Sequence, residues 1–152
     1  AANTLVRVPV GANRKILEAD SVQAHGINWI DPPWQEIVIP LTQKDDFSSG
    51  TYQDVGGDFL YTVANFKGTI LWYFEAVLKA SGGATVSAQL YDKTAAAAIS
   101  GSEVSTAATS YTRIRSAAIT LVTANTIRVE NKSTVGGQGA MSAARLIGVR
   151  SA

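Results

Sequence analysis

The segment TILWYFEAVLKA, residues 69–80, carries the strongest strand signal in the chain. Side chains alternate between the two faces of a strand, so apolar residues two apart share one face. One face is apolar and carries Trp72, Phe74, Ala76 and Leu78. The other face is more polar and carries Tyr73, Glu75 and Lys79. A Ser-Gly-Gly turn and a second alternating run, residues 84–92, follow at once. This order predicts a hairpin that forms the centre of the core.

Short strands are predicted along the rest of the sequence as well. They lie at residues 36–41, 51–55, 59–63, 103–106, 110–115, 117–121, 126–131 and 140–150. The segment KTAAAAIS, residues 93–100, favours helix but is shorter than the ~12 residues that an isolated helix needs, so we expect a loop or a single turn. Eight or more strands without an amphipathic helix predict an all-β fold, an antiparallel jelly-roll-type β-sandwich.

The first 34 residues have a different organisation. Three short apolar runs, at 5–8, 15–18 and 26–30, are each too short to bury their side chains alone. Two prolines, Pro32 and Pro33, then interrupt strand pairing because proline has no N–H to donate. We therefore expect an extended N-terminal arm of short strands at 1–34, an oligomerisation segment, and the β-sandwich at 35–152. The side chains expected at intersubunit contacts are Leu5, Val8, Ile16, Leu17, Ile27, Trp29 and Trp34.

Composition narrows the function classes. Charged residues make up 16% of the 152 residues and the net charge is +1, with no basic patch, so we expect neither nucleic-acid binding nor membrane insertion. There is no cysteine, and His25 is the single histidine, which leaves no thiolate or histidine metal site and no Ser-His-Asp triad. The acidic residues are spread singly, as turn or solvated residues are. We therefore expect neither a catalytic carboxylate pair nor a calcium site among the following acidic residues: Asp45, Asp46, Asp54, Asp58, Glu75, Asp92, Glu103 and Glu130. The sequence therefore predicts no catalytic site, no cofactor and no metal.

Aromatic and arginine residues are the better candidates for ligand contact. A flat ring packs on the apolar face of a sugar, and Tyr73 and Tyr91 are expected on the outward faces of paired strands. Together with Gln89 they form the predicted glycan platform, with a subunit interface as the alternative. Arginines favour bidentate contact with carboxylates, which suits intersubunit pairs or acidic sugars, although a solvated face is the plainer interpretation. These arginines are Arg113, Arg115, Arg145 and Arg150.

Two parts of the sequence carry a resemblance to known proteins. The stretches ANTLVRVPVGAN (2–13), ILEADS (16–21) and AHGINW (24–29) resemble a module of fibre and virion surface proteins of tailed bacteriophages. That module commonly precedes a C-terminal β-domain. Arg14 stands where the family usually has glycine, so the family's turn is not carried over. The stretches WYFEAVLK (72–79), AQLYD (88–92), GSEVST (101–106) and SYTRIRS (110–116) resemble jelly-roll domains, similar to carbohydrate-binding modules, of phage fibres and capsid decoration proteins.

The resemblance implies a non-enzymatic phage virion structural protein. It would be the tip of a homotrimeric tail fibre or spike on the virion surface, in contact with other virion proteins and presenting a host-recognition, glycan-binding surface. The alternative is a capsid decoration or cement protein whose arm grips neighbouring capsid subunits. An isolated carbohydrate-binding domain and a depolymerase are further alternatives.

Overall fold

A computed structural model describes residues 16–19, 27–30, 36–44, 49–66 and 68–150. These residues fall into two units. In the first unit, β1 (Ile16–Ala19) pairs antiparallel with β2 (Ile27–Ile30). Leu5, Val8 and Trp34 lie outside the described residues, and the intersubunit contacts expected of the arm stay a prediction. So does its boundary at residue 34.

The second unit begins at residue 36 and contains nine strands and one short 3-10 helix, Val63–Asn65. The strands are β3 (Glu36–Lys44), β4 (Gln53–Leu60), β5 (Ile70–Ala80), β6 (Val86–Asp92), β7 (Ala97–Ala98), β8 (Val104–Thr106), β9 (Thr112–Arg115), β10 (Thr126–Ser133) and β11 (Gly139–Arg150). All their pairings are antiparallel. No helix in the described part of the chain is long and apolar enough to span a membrane.

The strands form two sheets that face each other. The first sheet has the order β3-β11-β5-β9. The second has the order β4-β10-β6, and both β8 and the two-residue β7 pair with β6. Leaving β7 aside, the described strands of the second unit fill two four-stranded sheets in the alternating order of a jelly roll, in which β3 and β11, the first and last strands, are neighbours. The predicted all-β jelly-roll sandwich is confirmed.

The hydrophobic core lies between the inner faces of the two sheets. The four apolar residues predicted on one face of β5 are all buried, and they pack against Leu90, Ile127 and Val129 of the second sheet. The Trp72 ring lies against the backbone of Gly148, where an added Cβ would come within 2.7 Å of the ring. Only glycine leaves that ring enough room.

The predicted hairpin between residues 69–80 and 84–92 is wrong. β5 and β6 lie in opposite sheets, and the turn at Gly82 and Gly83, both at positive φ, carries the chain from one sheet to the other. Both strands have a fully apolar face. When the two strands lie in opposite sheets, their apolar faces pack against each other and both are buried. If the strands instead paired in one sheet, their apolar faces would form one surface that another layer would have to cover.

Three smaller expectations differ from the structure. Residues 53–60 form one strand, β4, in place of the two strands predicted at 51–55 and 59–63, because Gly56 and Gly57 take positive φ and let the strand continue through an irregular register. Residues 117–121 supply only a single bridge, from Ile119 to Trp72. Residues 93–96 form a turn, as expected, but β7 follows it directly.

Candidate functional site

The outer face of the first sheet carries charged side chains around one buried carboxylate. Strand register places Glu75 of β5 opposite Arg115 of β9 on one side and Arg145 of β11 on the other. Arg113 lies two residues before Arg115 and therefore shares its face. Glu36, at the start of the other edge strand, β3, also contacts Arg115. We call these five residues the Glu75 cluster.

Glu75 touches all three arginines, although its own side chain is only 2% exposed. Arg113 Nε lies 2.8 Å from Oε1, and Arg145 Nη1 lies 3.6 Å from the same oxygen. Arg115 donates from Nε to Oε2 at 3.1 Å, and its Nη2 lies 2.7 Å from Oε1 of Glu36. One carboxylate thus holds guanidinium groups from two different strands.

The opposite charges of the cluster stabilise the ionised forms of both the glutamates and the arginines. Burial raises the pKa of Glu75, but hydrogen bonds and charges from Arg113 and Arg115 outweigh it, so the pKa lies below its ordinary value of 4.5. Burial lowers the pKa of Arg115, and the two glutamates more than reverse this, so that pKa is raised. Three guanidinium cations and two carboxylates leave the cluster with a net positive charge.

An open groove adjoins the cluster between β3 and β11. The register between these two strands shifts there, between Met141 and Arg145 of β11, and Ser142 is also one extra residue of β11 relative to β5. Such bulges open a sheet locally and redirect side chains. The groove has a volume of about 360 Å³, and its walls include Pro40, Thr42, Ala143 and Arg145. Arg145 therefore belongs to both the groove and the Glu75 cluster.

The outer face of the second sheet is polar too, but its charges are matched to one another. Arg128 pairs with Asp54 and lies 3.4 Å from Glu130, and its guanidinium lies 5.0 Å from the centre of the Tyr91 ring. Gln89 donates from Nε2 to Oε2 of Glu130 at 3.0 Å. The Nε2 group of Gln89 is thus bonded within the protein, and Arg128 lies near the ring of Tyr91.

A second set of contacts continues along this face. Lys132 Nζ lies 3.3 Å from Oε1 of Glu103 and 4.2 Å from the centre of the Tyr52 ring. Burial raises the pKa of Tyr52, and the neighbouring Glu103 carboxylate adds to the rise. Together with the preceding group, the face holds two cations and three carboxylates. It has a net negative charge, opposite in sign to that of the Glu75 cluster.

The structure does not bring the predicted glycan residues together. Gln89 and Tyr91 lie on β6 of the second sheet, whereas Tyr73 lies on β5 of the first. Their outward faces point to opposite sides of the sandwich, because the hairpin that would have joined them does not form. Tyr73 instead neighbours the Glu75 cluster, with the Arg115 guanidinium 5.9 Å from its ring centre.

The structure brings together only three of the four arginines that the sequence suggested for ligand contact. Arg113, Arg115 and Arg145 meet at one carboxylate, whereas Arg150 pairs with Ile70 at the end of β11. The organising residue, Glu75, was placed among turn or solvated acids, and that interpretation is wrong. The available signal was its position inside the most apolar strand, where a carboxylate requires cations from neighbouring strands.

The described residues form no metal-binding cluster. Among the described residues, no three histidine, cysteine, aspartate or glutamate side chains lie close enough together to hold a metal ion. His25, Asp45 and Asp46 lie outside those residues. Asp58, weighed as a calcium ligand, instead forms an ion pair with Lys93 at 2.5 Å.

Comparison with known proteins gives little. No family model and no curated protein matches the sequence. Two similar solved structures are of infectious bursal disease virus, the Gx strain and the VP2 subviral particle, with 13% and 12% identity and TM-scores of 0.33 and 0.32. Each covers 93% of this chain, which spans 41% and 40% of theirs. Likeness this distant carries no information on function.

Proposed function

We propose that this protein is a non-enzymatic structural protein of a virion. In this proposal it forms the tip of a homotrimeric tail fibre or spike on the virion surface, and its jelly-roll domain presents a host-recognition surface that binds glycan. The observation that carries the proposal is the order of the chain: a segment resembling a phage fibre module is followed directly by an eight-strand jelly roll. The second unit begins at residue 36, seven residues after the last stretch quoted for that module and three residues after the proline pair.

The outer faces of the sandwich support a recognition role. The described part of the first sheet carries arginines that are 34% to 58% exposed and held in place by a buried glutamate. Ordered, partly exposed arginines are typical of sites that bind another molecule. In a trimer, three copies of a weak site would act together, because binding at one raises the effective concentration at the others.

The oligomeric state is the first test. Sedimentation equilibrium of the purified full chain should give a trimer of the 16.0 kDa subunit. Leu17→Asp, in the middle of one short apolar run, is expected to convert the trimer to monomer, and Glu18→Gln serves as the matched control. A wild-type chain that sediments as a monomer at micromolar concentration contradicts the proposal.

Location in the particle is the second test. Antibody raised to the purified chain should label the tail tip of particles in negative-stain micrographs. Label confined to the capsid would instead favour the decoration role, in which removal of the protein lowers the stability of filled heads. Release of fragments from host capsule would contradict the non-enzymatic assignment.

A further inference from the structure

The Glu75 cluster has more hydrogen-bond donors than its own carboxylates can use. Each guanidinium has five N–H donors. The ion pair of Arg113 with Glu75 is made through Nε, and the terminal nitrogens of Arg113 form no hydrogen bond among the described residues. Arg145 approaches Glu75 no closer than 3.6 Å. Their side chains are 58% and 36% exposed, so both can reach an incoming acceptor.

The ligand class follows from the charge and shape beside these donors. We propose that Arg113 and Arg145 bind the carboxylate of an acidic sugar, whose ring occupies the groove between β3 and β11. This inference rests on the proposed recognition role and names the class of glycan involved. A planar guanidinium fork matches a carboxylate in geometry as well as charge.

Glu75 prepares the site before the ligand arrives. Its Oε1 is the nearest acidic atom to both Arg113 and Arg145, so the two side chains converge on one point of the sheet although they belong to different strands. In strand register, Val77 and Ala143 lie side by side next to Arg113. The arginines are thus ordered in advance, which lowers the entropy cost of binding.

The groove supplies the remainder of the site. Its volume of about 360 Å³ lies at the small end of the ~300–1,000 Å³ typical of ligand sites. Gln43 and Ser142 offer polar groups, while Pro40 and Ala143 offer apolar surface. A sugar ring has hydroxyl edges and apolar faces and fits such a mixed lining. The outer face of the second sheet has the opposite net charge and would repel the same ligand.

Binding of defined oligosaccharides to the full chain tests this assignment. Trigalacturonic acid should bind by isothermal titration calorimetry, and its carboxyl-reduced form should bind at least about tenfold more weakly, since a charge-assisted hydrogen bond contributes at least that factor. Arg113→Gln and Arg145→Gln should each weaken binding by about tenfold or more. Lys93→Gln, which removes one positive charge from the opposite side of the sandwich, should bind as the wild type does.

A variant that leaves every arginine in place tests the groove. Ala143→Leu should block the ring site and abolish binding, with the thermal transition confirming that the domain is folded. Equal affinity for the acidic and carboxyl-reduced sugars, or no heat of binding at about 10 mM ligand, overturns the inference. Equal binding of a hexaglutamate peptide would also overturn it and favour a protein partner. A chain that is trimeric but does not bind the acid sugar refutes this ligand class alone, whereas a monomer refutes the proposed function.

Discussion

Replacing Glu75 with glutamine should destabilise the β-sandwich by about 2 kcal/mol. The substitution removes the charge that Arg113 and Arg115 contact at 2.8 and 3.1 Å, and it turns an amide N–H₂ toward a cation. A hydrogen bond to a charged group contributes about 1.5–3 kcal/mol. Arg115 supplies one such bond and Arg113 an ion pair. Because the arginines are 34% to 58% exposed, water can take over part of their solvation, and we expect a total loss of about 2 kcal/mol.

Thermal unfolding followed by circular dichroism measures this effect. A loss of about 2 kcal/mol corresponds to a fall in Tm of about 8 °C for a domain of this size. Asp58→Asn is the matched control, since it removes a carboxylate whose side chain is 49% exposed and which pairs with a single lysine. That control should change the free energy of unfolding by less than about 0.5 kcal/mol. A Glu75→Gln protein as stable as the control would refute the view that this carboxylate orders the cluster.

The same comparison has a pH dependence with a defined sign. The folded-state pKa of Glu75 lies below its ordinary value of 4.5, so its contribution to stability is complete above pH 4.5. It is lost as the pH falls through the lower, folded-state pKa. The difference in Tm between the wild type and Glu75→Gln should therefore be constant near neutral pH and shrink on acidification below 4.5. A difference that grows on acidification would contradict the assigned pKa direction.

Three further substitutions test the fold around the site. Gly148→Ala should cost about 2 kcal/mol, because its Cβ would lie 2.7 Å from the Trp72 ring, whereas Gly50→Ala, with no heavy atom closer than 3.8 Å, should be neutral in the same thermal melt. Asp92→Ala should cost about 2 kcal/mol in urea unfolding, because the carboxylate accepts two backbone N–H bonds at 2.9 Å and an asparagine amide at 2.6 Å. Tyr61→Phe should cost about 1 kcal/mol and speed exchange of the Trp72 indole proton, which loses its acceptor at 3.3 Å.

The sequence indicates which face of a strand is buried more reliably than it indicates which strand lies beside it. Alternation along β5 correctly placed Trp72, Phe74 and Leu78 in the core, since burial depends on a local period of two. It could not identify the neighbours of β5, because β9 and β11 lie some 40 and 70 residues further along the chain. The hairpin prediction failed for this reason, and with it the grouping of Tyr73 with Tyr91.

The candidate site was only partly predictable for a related reason. Arg113 and Arg115 share a face within one strand, which the sequence shows directly. Their meeting with Arg145 depends on the pairing of three strands, and the groove depends on register shifts of β11 against β5 and β3 that appear only once those strands are paired. Glu75 could be recognised only once cations were known on both sides of it.

The buried glutamate also bears on why this topology forms at all. Residues 84–92 contain no lysine or arginine, so a β5 paired with β6 would leave Glu75 without a cation on that side. Because burying an unpaired carboxylate costs free energy, a sheet in which β5 pairs with β6 would have to leave Glu75 exposed to water. Between β9 and β11 the same residue has arginines on both sides. A shift of β9 by one residue would turn Arg113 and Arg115 toward the core, which the ion pairs oppose. The cluster that we propose as a binding site therefore also favours the jelly-roll strand order and register over the hairpin alternative.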